Sequence, residues 1–508
     1  MLAHVTTFSL AGLEPHRVTV EVDLRAGLPA FTVVGLGDLA VREARERVRA
    51  AILNSGFEFP AKRVTVNLAP AYLRKAGPGF DLAIACGVLA ASGQVRPERL
   101  EHLAVHGELA LGGELRPARG ALPVAEGALR AGLRGLVVAH ERAREAALVE
   151  ELDVHPAATL RDVAGVLEGK APRSLPEPAT AREEPARHGP PLDLADVRGH
   201  AGVLEALTIA AAGGHNLLLT GPPGTGKTML ARRVPGILPP LTRAEALEVT
   251  RIQSIVGLRA ADGLVEERPF RAPHHSTSPS GIVGGGGIPQ PGEATLAHHG
   301  VLFLDELSEF SRTTLEALRQ PLEDGRVTVV RGQRTAIYPT RFMLVAATNP
   351  CPCGWAGTDR CRCTESDLAR HRRRLSGPLL DRIDVTCTVG RPAGADLAGP
   401  AHRTSAGERE RVLAARERQT ARLAGTGVAC NAHMTAAQVR RHVVLDPAGE
   451  RHLWRVYDRG GLSARGHQRV LRLARTVADL DGAEAVGPQH LLKALHLRHD
   501  DGVQELTA

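Results

Sequence analysis

The chain has 508 residues, of which 43% are hydrophobic and 23% charged, a composition typical of a globular protein and not of a disordered one. Its longest apolar run, 82–91, is far shorter than the ~18 residues that a membrane-spanning helix needs, and seven cysteines are too few for a disulfide scaffold. We therefore expect a soluble cytoplasmic protein of about three domains, and 63 basic against 56 acidic residues favour a polyanionic partner only weakly.

The first 168 residues combine short β-like runs with helical segments, which predicts a compact α/β or α+β domain. The predicted strands are 17–22, 63–68 and 136–139, and the predicted helices are 39–54 and 81–92. Residues 169–191 are rich in proline and charge and show no apolar periodicity. Because such a segment cannot bury a core, it predicts a linker.

From 192 to 395 the pattern changes to strand, turn and helix. Residues 216–220, 301–304 and 342–347 are short apolar runs typical of strands buried in a parallel sheet. The glycine-rich stretch 281–287 predicts an exposed loop, and 325–339 predicts a β-hairpin. We assign His274 and His275 no role beyond a place in a loop. The remainder, 396–508, is helical in its periodicity, notably over 463–480 and 487–497.

Residues 221–228 read GPPGTGKT and stand between a predicted strand and a helix, the context that identifies a phosphate-binding loop. The glycines let backbone amides surround a β-phosphate, Lys227 reaches the β- and γ-phosphates, and Thr228 offers its hydroxyl to Mg²⁺. The predicted nucleotide-binding residues are Gly221, Pro222, Pro223, Gly224, Thr225, Gly226, Lys227 and Thr228. The alternative is an ordinary glycine–proline turn.

Two carboxylates, Asp305 and Glu306, directly follow the predicted strand 301–304. Asp305 would join the Mg²⁺ shell and Glu306 would polarise a water for attack on the γ-phosphate, which favours hydrolysis over binding alone. Taken alone, such an acidic pair is typical of surface charge. The third strand ends at Asn349, which suits a γ-phosphate sensor, although an asparagine before proline is also an ordinary turn initiator.

Several basic residues follow the third strand. The run 370–374, RHRRR, is either a solvated helix face or a phosphate contact. Arg382 is either paired with Asp381 or Asp384 in a structural ion pair, or is a finger supplied to the nucleotide of another subunit. Arg465, at the start of a long helix, either reaches phosphates from a helical lid or is solvated.

The set GPPGTGKT, VLFLDEL, AATNP, SGPLLDRID and SARGHQRVLRLARTVADL resembles the magnesium-chelatase-like branch of the AAA+ ATPases, and within it the ComM (YifB) competence-protein family. The resemblance covers essentially the whole chain. It implies a P-loop AAA+ core with a helical C-terminal lid, ATP and Mg²⁺ as cofactors, and a ring of subunits, expected to be a hexamer. By this resemblance Asn349 is sensor 1, Arg382 the arginine finger acting in trans, and Arg465 sensor 2.

The same resemblance implies an ATP-driven motor on DNA, because ComM proteins are regarded as branch-migration helicases during integration of transforming DNA. Residues 270–297 and 325–339 look like the inserts that line the pore of replicative MCM helicases, which makes Arg331 and Arg334 the candidate DNA contacts. We expect branched or single-stranded DNA, bound without sequence specificity. The alternatives are the motor subunit of a magnesium-chelatase-type metal-insertion complex and a protein remodeller.

The N-terminal residues 63–93 are similar to the Lon-type proteolytic domain, an α+β unit with a ribosomal-protein-S5-like fold. That family uses a Ser–Lys dyad in which the serine directly follows Gly-Pro. Here Gly77-Pro78 is followed by Gly79, and Leu122 stands at the lysine position. Because no acyl-enzyme forms without a nucleophile and its base, we expect a non-catalytic domain over 1–168.

Four cysteines lie close together within 351–363, at positions Cys351, Cys353, Cys361 and Cys363. Four thiolates suit a tetrahedral Zn²⁺ ion, although the C-x-C spacing gives a tighter bite than the usual C-x₂-C. The alternative is a set of free or redox-labile thiols.

Overall fold

The structure is a computed structural model that describes residues 1–35, 37, 39–73, 75, 77–170, 173–177, 192–258, 263–287, 289–332, 334–374, 377–399, 403–458 and 462–498. The described residues form two compact units. The N-terminal unit is drawn from Met1–Pro185, Arg243–Val265 and Gly332–Ile337, and the C-terminal unit from Ala186–Thr242, Glu266–Arg331 and Tyr338–Ala508. None of the described helices has both the length and the apolar character to cross a lipid bilayer.

The β-strands, in chain order, are β1 Leu2–Ala11, β2 Glu14–Arg25, β3 Ala30–Val34, β4 Arg63–Ala69, β5 Leu103–His106, β6 Glu108–Leu109, β7 Leu115–Arg116, β8 Gly135–Ala139, β9 Asp153–Ala157, β10 Leu217–Thr220, β11 Phe270–Arg271, β12 Gly284–Gly285, β13 Gln290–Pro291, β14 Val301–Leu304, β15 Arg326–Arg331, β16 Arg334–Pro339, β17 Met343–Thr348 and β18 Val385–Thr388.

The α-helices are α1 Leu39–Asn54, α2 Asp81–Ala91, α3 Ala121–Arg130, α4 Ala143–Ala146, α5 Leu160–Leu167, α6 Ala201–Gly213, α7 Lys227–Ala231, α8 Val234–Ile237, α9 Arg243–Val256, α10 Pro279–Val283, α11 Glu293–Leu296, α12 Arg312–Ala317, α13 Arg319–Asp324, α14 Glu365–Arg374, α15 Gly377–Leu380, α16 Gly394–Ala398, α17 Ser405–Arg422, α18 Ala436–His442, α19 Pro447–Asp458, α20 Ala464–Leu480 and α21 Pro488–His496.

The N-terminal unit is built on a mixed sheet with the strand order β3-β4-β2-β1-β5-β8-β9. Strand β2 runs antiparallel to β1 and β4, and the remaining neighbours are parallel. The apolar run 82–91 forms most of α2, whose residues are all buried. A side chain at Gly87 of this helix would clash with Val22 on β2, because an added Cβ would lie 2.4 Å from its Cγ2. The run is therefore a core helix.

The two positions that would hold a Ser–Lys dyad are packed against buried side chains. Gly79 lies beneath the buried His106 ring, since an added Cβ would be 2.8 Å from its Cε1. Leu122 is fully buried in an apolar cluster that also contains Phe8 and Val138. The absence of proteolysis stays a prediction.

The C-terminal unit is built on a five-stranded parallel sheet with the order β11-β14-β17-β10-β18. Successive side chains of a strand point to opposite faces, so both faces of this sheet carry apolar residues. Leu217 and Leu219 of β10 contribute to one core, which also contains residues of α6, α17 and α20. Leu218 contributes to the other, with Leu302 and Leu344. The fold is thus mixed α/β, with a buried parallel sheet in this unit.

The predicted elements agree closely with the structure where the apolar period is strong. Helix α1 has the predicted bounds, and β14 does too. The unpredicted strands include β11 and β18 at the two edges of the parallel sheet. The predicted linker 169–191 lies largely outside the described residues, and the boundaries at 168, 191 and 395 stay predictions.

The expectation of an exposed loop over 281–287 is wrong for part of that segment. Ile282 is fully buried, and the following Gly284 and Gly285 are buried in β12, which pairs with β13. A Cβ at Gly284 would lie 2.5 Å from the carbonyl oxygen of Gln290. Glycine therefore serves here for close backbone approach, and flexibility is not its role.

A cluster of charges joins helices α6, α17 and α21 of the C-terminal unit. Glu205 on α6 accepts from Lys493 Nζ at 2.7 Å and forms ion pairs with Arg403 at 2.7 Å and Arg411 at 3.4 Å. Burial alone would raise the pKa of Glu205, but hydrogen bonds from Lys493 and Arg403 outweigh it and lower the pKa to about 2. The carboxylate therefore stabilises the fold fully above its ordinary pKa of 4.5.

We expect Glu205→Gln to lower the free energy of unfolding by about 2 kcal/mol at neutral pH, a value reduced for partial exposure. Because the folded-state pKa is depressed, the difference from the unchanged protein should shrink as pH falls from 4.5 and be less than half by about pH 3. Urea denaturation at both pH values measures it. Glu417→Gln, at an exposed position of α17, is the control. A deficit independent of pH would contradict the assignment.

Candidate functional site

Three polar segments meet at one edge of the parallel sheet. Thr220 of β10 lies opposite Thr348 of β17, and Leu304 of β14 lies opposite Ala346 of β17. Because the carboxyl ends of parallel strands lie at the same edge, the turn 221–226, the acidic pair after β14 and Asn349 are neighbours. The sequence predicted this convergence.

The turn 221–226 needs glycine at several positions. A Cβ at Gly221 would lie only 2.2 Å from the carbonyl oxygen of Val389. Gly224 and Gly226 have φ of +77° and +88°, a region that other residues adopt at a cost. A Cβ at Gly224 would meet no atom within 4 Å, so the turn presents its backbone on that side. This is the backbone surface that a phosphate-binding loop requires.

The side chain of Lys227 folds over this turn. Its Nζ donates to the carbonyl oxygens of Gly221 at 2.7 Å and Pro222 at 2.8 Å, and to Asn349 Oδ1 at 3.1 Å. Burial lowers the pKa of Lys227, and the nearby Asp305 and Glu306 oppose that effect. The structure therefore brings together the lysine and the asparagine that the sequence predicted.

Thr228 and Asp305 form a pair of oxygen ligands. Thr228 Oγ1 donates to Asp305 Oδ2 at 2.7 Å. Mg²⁺ binds oxygen atoms at about 2.0–2.1 Å in octahedral geometry, in which adjacent ligands are about 2.9 Å apart. The hydroxyl and the carboxylate fit two adjacent positions around such an ion.

Glu306 has an unusual backbone and a partner that the sequence analysis missed. Its φ and ψ are both 51°, a left-handed conformation that is uncommon outside glycine. Its side chain is 59% exposed, and Oε2 lies 3.4 Å from Nδ1 of His275. The backbone amide donates to Asp305 Oδ1 at 3.0 Å. His275 therefore belongs to the surroundings of this carboxylate, and only the unusual His-His pair hinted at a role.

Asn349 is held from its other side by His371. The imidazole Nε2 of His371 donates to the carbonyl oxygen of Asn349 at 3.0 Å. His371 is the buried residue of α14, whereas Arg370, Arg372 and Arg373 around it are exposed. The sequence analysis considered this run for its arginines and missed the role of the buried His371 beside Asn349.

The two arginines with predicted trans or lid roles have different surroundings. Arg382 is buried, with its guanidinium against Glu323. The sequence allowed an ion pair of Arg382 with Asp381 or Asp384, and the structure pairs it with Glu323 instead. Asp384 contacts His215 and Arg469. Arg465 is exposed in the first turn of α20.

The predicted DNA-contacting segments are neighbours in the structure. Strands β15 and β16 form a two-stranded sheet, and the exposed Arg331 at the end of β15 has its guanidinium beside Gly285 of β12. Tyr338 Oη donates to the carbonyl oxygen of Pro289 at 2.8 Å. The Arg334 side chain lies outside the described atoms. Strand β15 and the glycine-rich segment of the C-terminal unit therefore share one surface.

The four cysteines converge in the segment that follows β17. The Sγ of Cys351 lies 3.4 Å from that of Cys353 and 4.0 Å from that of Cys361. The Sγ atoms of Cys353 and Cys361 are 3.8 Å apart. All four sulfur atoms, with Cys363 included, lie within 4.8 Å of one another.

Comparison with known proteins identifies related chains along nearly the whole length. Residues 193–397 match the family described as magnesium chelatase, subunit ChlI, residues 402–498 match its C-terminal family, and residues 20–142 match the family of subunit ChlI of Mg-chelatase. The protein YifB of Salmonella typhimurium is 45% identical over 98% of this chain and 97% of its own. The competence protein ComM of Haemophilus influenzae is 44% identical over the same shares. Lon protease 2 of Bacillus subtilis is 29% identical over 38% of each chain.

Proposed function

Because the chain belongs to the ComM/YifB family of magnesium-chelatase-type proteins, we propose that it is an ATP-hydrolysing AAA+ motor that acts on DNA. The observation on which this rests is the sheet edge at which Lys227 is hydrogen-bonded to Asn349 and Thr228 to Asp305, with Glu306 next to Asp305. ATP and Mg²⁺ are the proposed cofactors.

Each residue of this edge has a proposed task. The amides of 221–226 and Lys227 would bind phosphate oxygens, and Thr228 and Asp305 would hold Mg²⁺, which would supply neutralisation of phosphate charge. Glu306 orients and polarises the attacking water. Asn349 detects the γ-phosphate as sensor 1, because it shares its oxygen with the lysine that binds the same group.

The proposal places the nucleotide between neighbouring subunits of a ring, expected to be a hexamer. Arg382 is the finger for the adjacent subunit's nucleotide and Arg465 is sensor 2. To act in trans, Arg382 would have to break its ion pair with Glu323. In this proposal, assembly of the ring is therefore coupled to the loss of that ion pair.

Two further considerations support DNA as the molecule on which the motor acts. The exposed Arg331 lies on a surface shared by β15 and the glycine-rich segment, a surface suited to backbone phosphates. The Haemophilus influenzae relative is named a competence protein, which supports a role in natural transformation. Branch migration of DNA is the activity that we propose within that role. The N-terminal Lon-like domain, without a dyad, would serve assembly or DNA binding.

The decisive experiment measures ATP turnover with and without forked or four-way DNA. We expect turnover that is stimulated by DNA, together with a ring-sized species when ATP is present. The magnesium-chelatase family match favours a metal-insertion motor as the alternative, and a protein remodeller is the other. Turnover that ignores every DNA offered would contradict the DNA motor and leave those two.

Replacement of Arg331 by alanine tests the DNA surface. We expect Arg331→Ala to weaken DNA binding and to reduce the slope of log affinity against log salt by about one, because one phosphate contact is lost. Fluorescence anisotropy across a salt series measures both. Arg326→Ala, an exposed arginine at the other end of the same strand, is the matched control. An equal loss in both variants would count against a specific role for Arg331.

A further inference from the structure

The segment between β17 and α14 lacks regular secondary structure and begins at Asn349 of the nucleotide site. Residues 349–364 contain neither helix nor strand. Loops of this length in a compact domain are uncommon and usually functional. Within this one, Gly354 and Gly357 have φ of +84° and +78°, which turns the chain so that the two Cys-x-Cys pairs face each other.

The spacing of the sulfur atoms matches a metal centre. A disulfide requires sulfur atoms about 2.05 Å apart, well below the 3.4–4.0 Å found among Cys351, Cys353 and Cys361. Zinc–thiolate bonds of about 2.3 Å in a tetrahedron place sulfur atoms about 3.8 Å apart. The backbone amide of Ala356 also donates to Cys351 Sγ at 3.2 Å.

Three contacts join this segment and the helix α14 that follows it to the nucleotide site. Cys351 follows Asn349 after one proline. Gly354 packs on the phosphate-binding turn, since an added Cβ would lie 2.6 Å from Cδ of Pro223. His371 lies on α14, after the cysteines, and donates to the Asn349 carbonyl oxygen.

We propose that Cys351, Cys353, Cys361 and Cys363 bind one Zn²⁺ ion, and that this ion positions Asn349 beside the turn 221–226. Thiolates are soft ligands that select zinc over magnesium or calcium, so the two metal sites of this unit do not compete. The cysteines are positioning residues, because their effect on turnover acts through Asn349. The zinc site stands on its own geometry, and only its effect on turnover rests on the proposed function.

Zinc content of the purified full chain is the first measurement. We expect one zinc per chain by elemental analysis, and none in the double variant Cys361→Ser, Cys363→Ser. Cys387→Ser, at a half-buried cysteine of β18 outside the cluster, should retain the metal. A chain that holds no zinc, and takes up none when zinc is added under reducing conditions, would overturn the site.

Cobalt substitution keeps the test independent of how the variants fold. When the metal of the unchanged protein is removed and Co²⁺ is added, thiolate ligation produces the intense visible absorption of tetrahedral cobalt. Its appearance supports the four-sulfur site, and the weak spectrum of octahedral cobalt would overturn it.

The effect on turnover is measured on the zinc-free protein and on the double variant, with circular dichroism to verify folding. We expect kcat for ATP to fall by about tenfold or more, with nucleotide affinity changed by less than about threefold, since a displaced Asn349 affects orientation more than binding. Re-added zinc should restore kcat in the unchanged protein only. Wild-type kcat in folded, zinc-free protein would overturn the positioning role. A chain that binds zinc but never hydrolyses ATP would leave the zinc site standing and contradict the proposed function.

Discussion

Replacing Glu306 by glutamine is expected to leave ATP bound but to lower turnover by at least about 100-fold. Glutamine keeps the size of the side chain but loses the charge that polarises a water, and such acid–base assistance contributes roughly 10²–10⁴ in rate. Glu306 is well placed for this task, because it adjoins Asp305 and its carboxylate is 59% exposed at the sheet edge. Steady-state ATPase assays give kcat, and a fluorescent ATP analogue gives the dissociation constant.

Glu309→Gln is the matched control for this variant. Glu309 lies three residues further along, in the same short turn, and its half-exposed carboxylate is 3.8 Å from Arg374. Turnover of the control should stay within about threefold of the unchanged protein, as is usual for a surface charge. If Glu306→Gln also retained that rate, the attacking water would have to be activated by another group.

Replacing Lys227 by alanine is expected to weaken ATP binding by at least about 100-fold. The ammonium group is held at the turn by the carbonyl oxygens of Gly221 and Pro222 and by Asn349. Charge-assisted hydrogen bonds contribute about 1.5–3 kcal/mol each, so two lost contacts to phosphate oxygens correspond to several kcal/mol. Equilibrium binding of a fluorescent ATP analogue measures the loss, and thermal unfolding shows whether the variant is folded.

Lys62→Ala supplies the control, since Lys62 is an exposed lysine of the N-terminal unit. Its ATP affinity should be unchanged. The chain has few lysines, at positions 62, 75, 170, 227 and 493, so the effect of one charge can be followed against little background. Retained ATP binding in a folded Lys227→Ala variant would contradict the assignment of the turn.

Variants of Glu306 and Arg382 must be interpreted with their present ion-pair partners in mind. Glu306 is paired with His275, and Arg382 is paired with Glu323, within the same chain. In the proposed cycle those contacts must be exchanged for water or for the neighbouring subunit. A rate change in a variant of Arg382 therefore includes the release of Glu323, and the Glu323→Gln variant separates the two effects.

The sequence was sufficient for features that depend on neighbours along the chain. GPPGTGKT, the acidic pair after 301–304 and the bounds of α1 and β14 follow from local spacing and apolar period. A turn needs its glycines within a few residues of one another, and a buried strand needs only a short apolar run. These local requirements are written into consecutive positions, which is why they could be predicted.

The tertiary structure alone decided which distant side chains meet. The sequence predicted that Lys227 and Asn349 lie at one sheet edge, but their direct hydrogen bond, across 122 positions, arises because β17 lies beside β10. The contacts of His275 with Glu306, of His371 with Asn349 and of Gly354 with Pro223 depend on that same order of strands. Strand order is set by packing of both faces of the whole sheet, and no local pattern records it. The chemistry of the phosphate-binding turn could therefore be predicted from the sequence, whereas the distant residues that hold it in place could not.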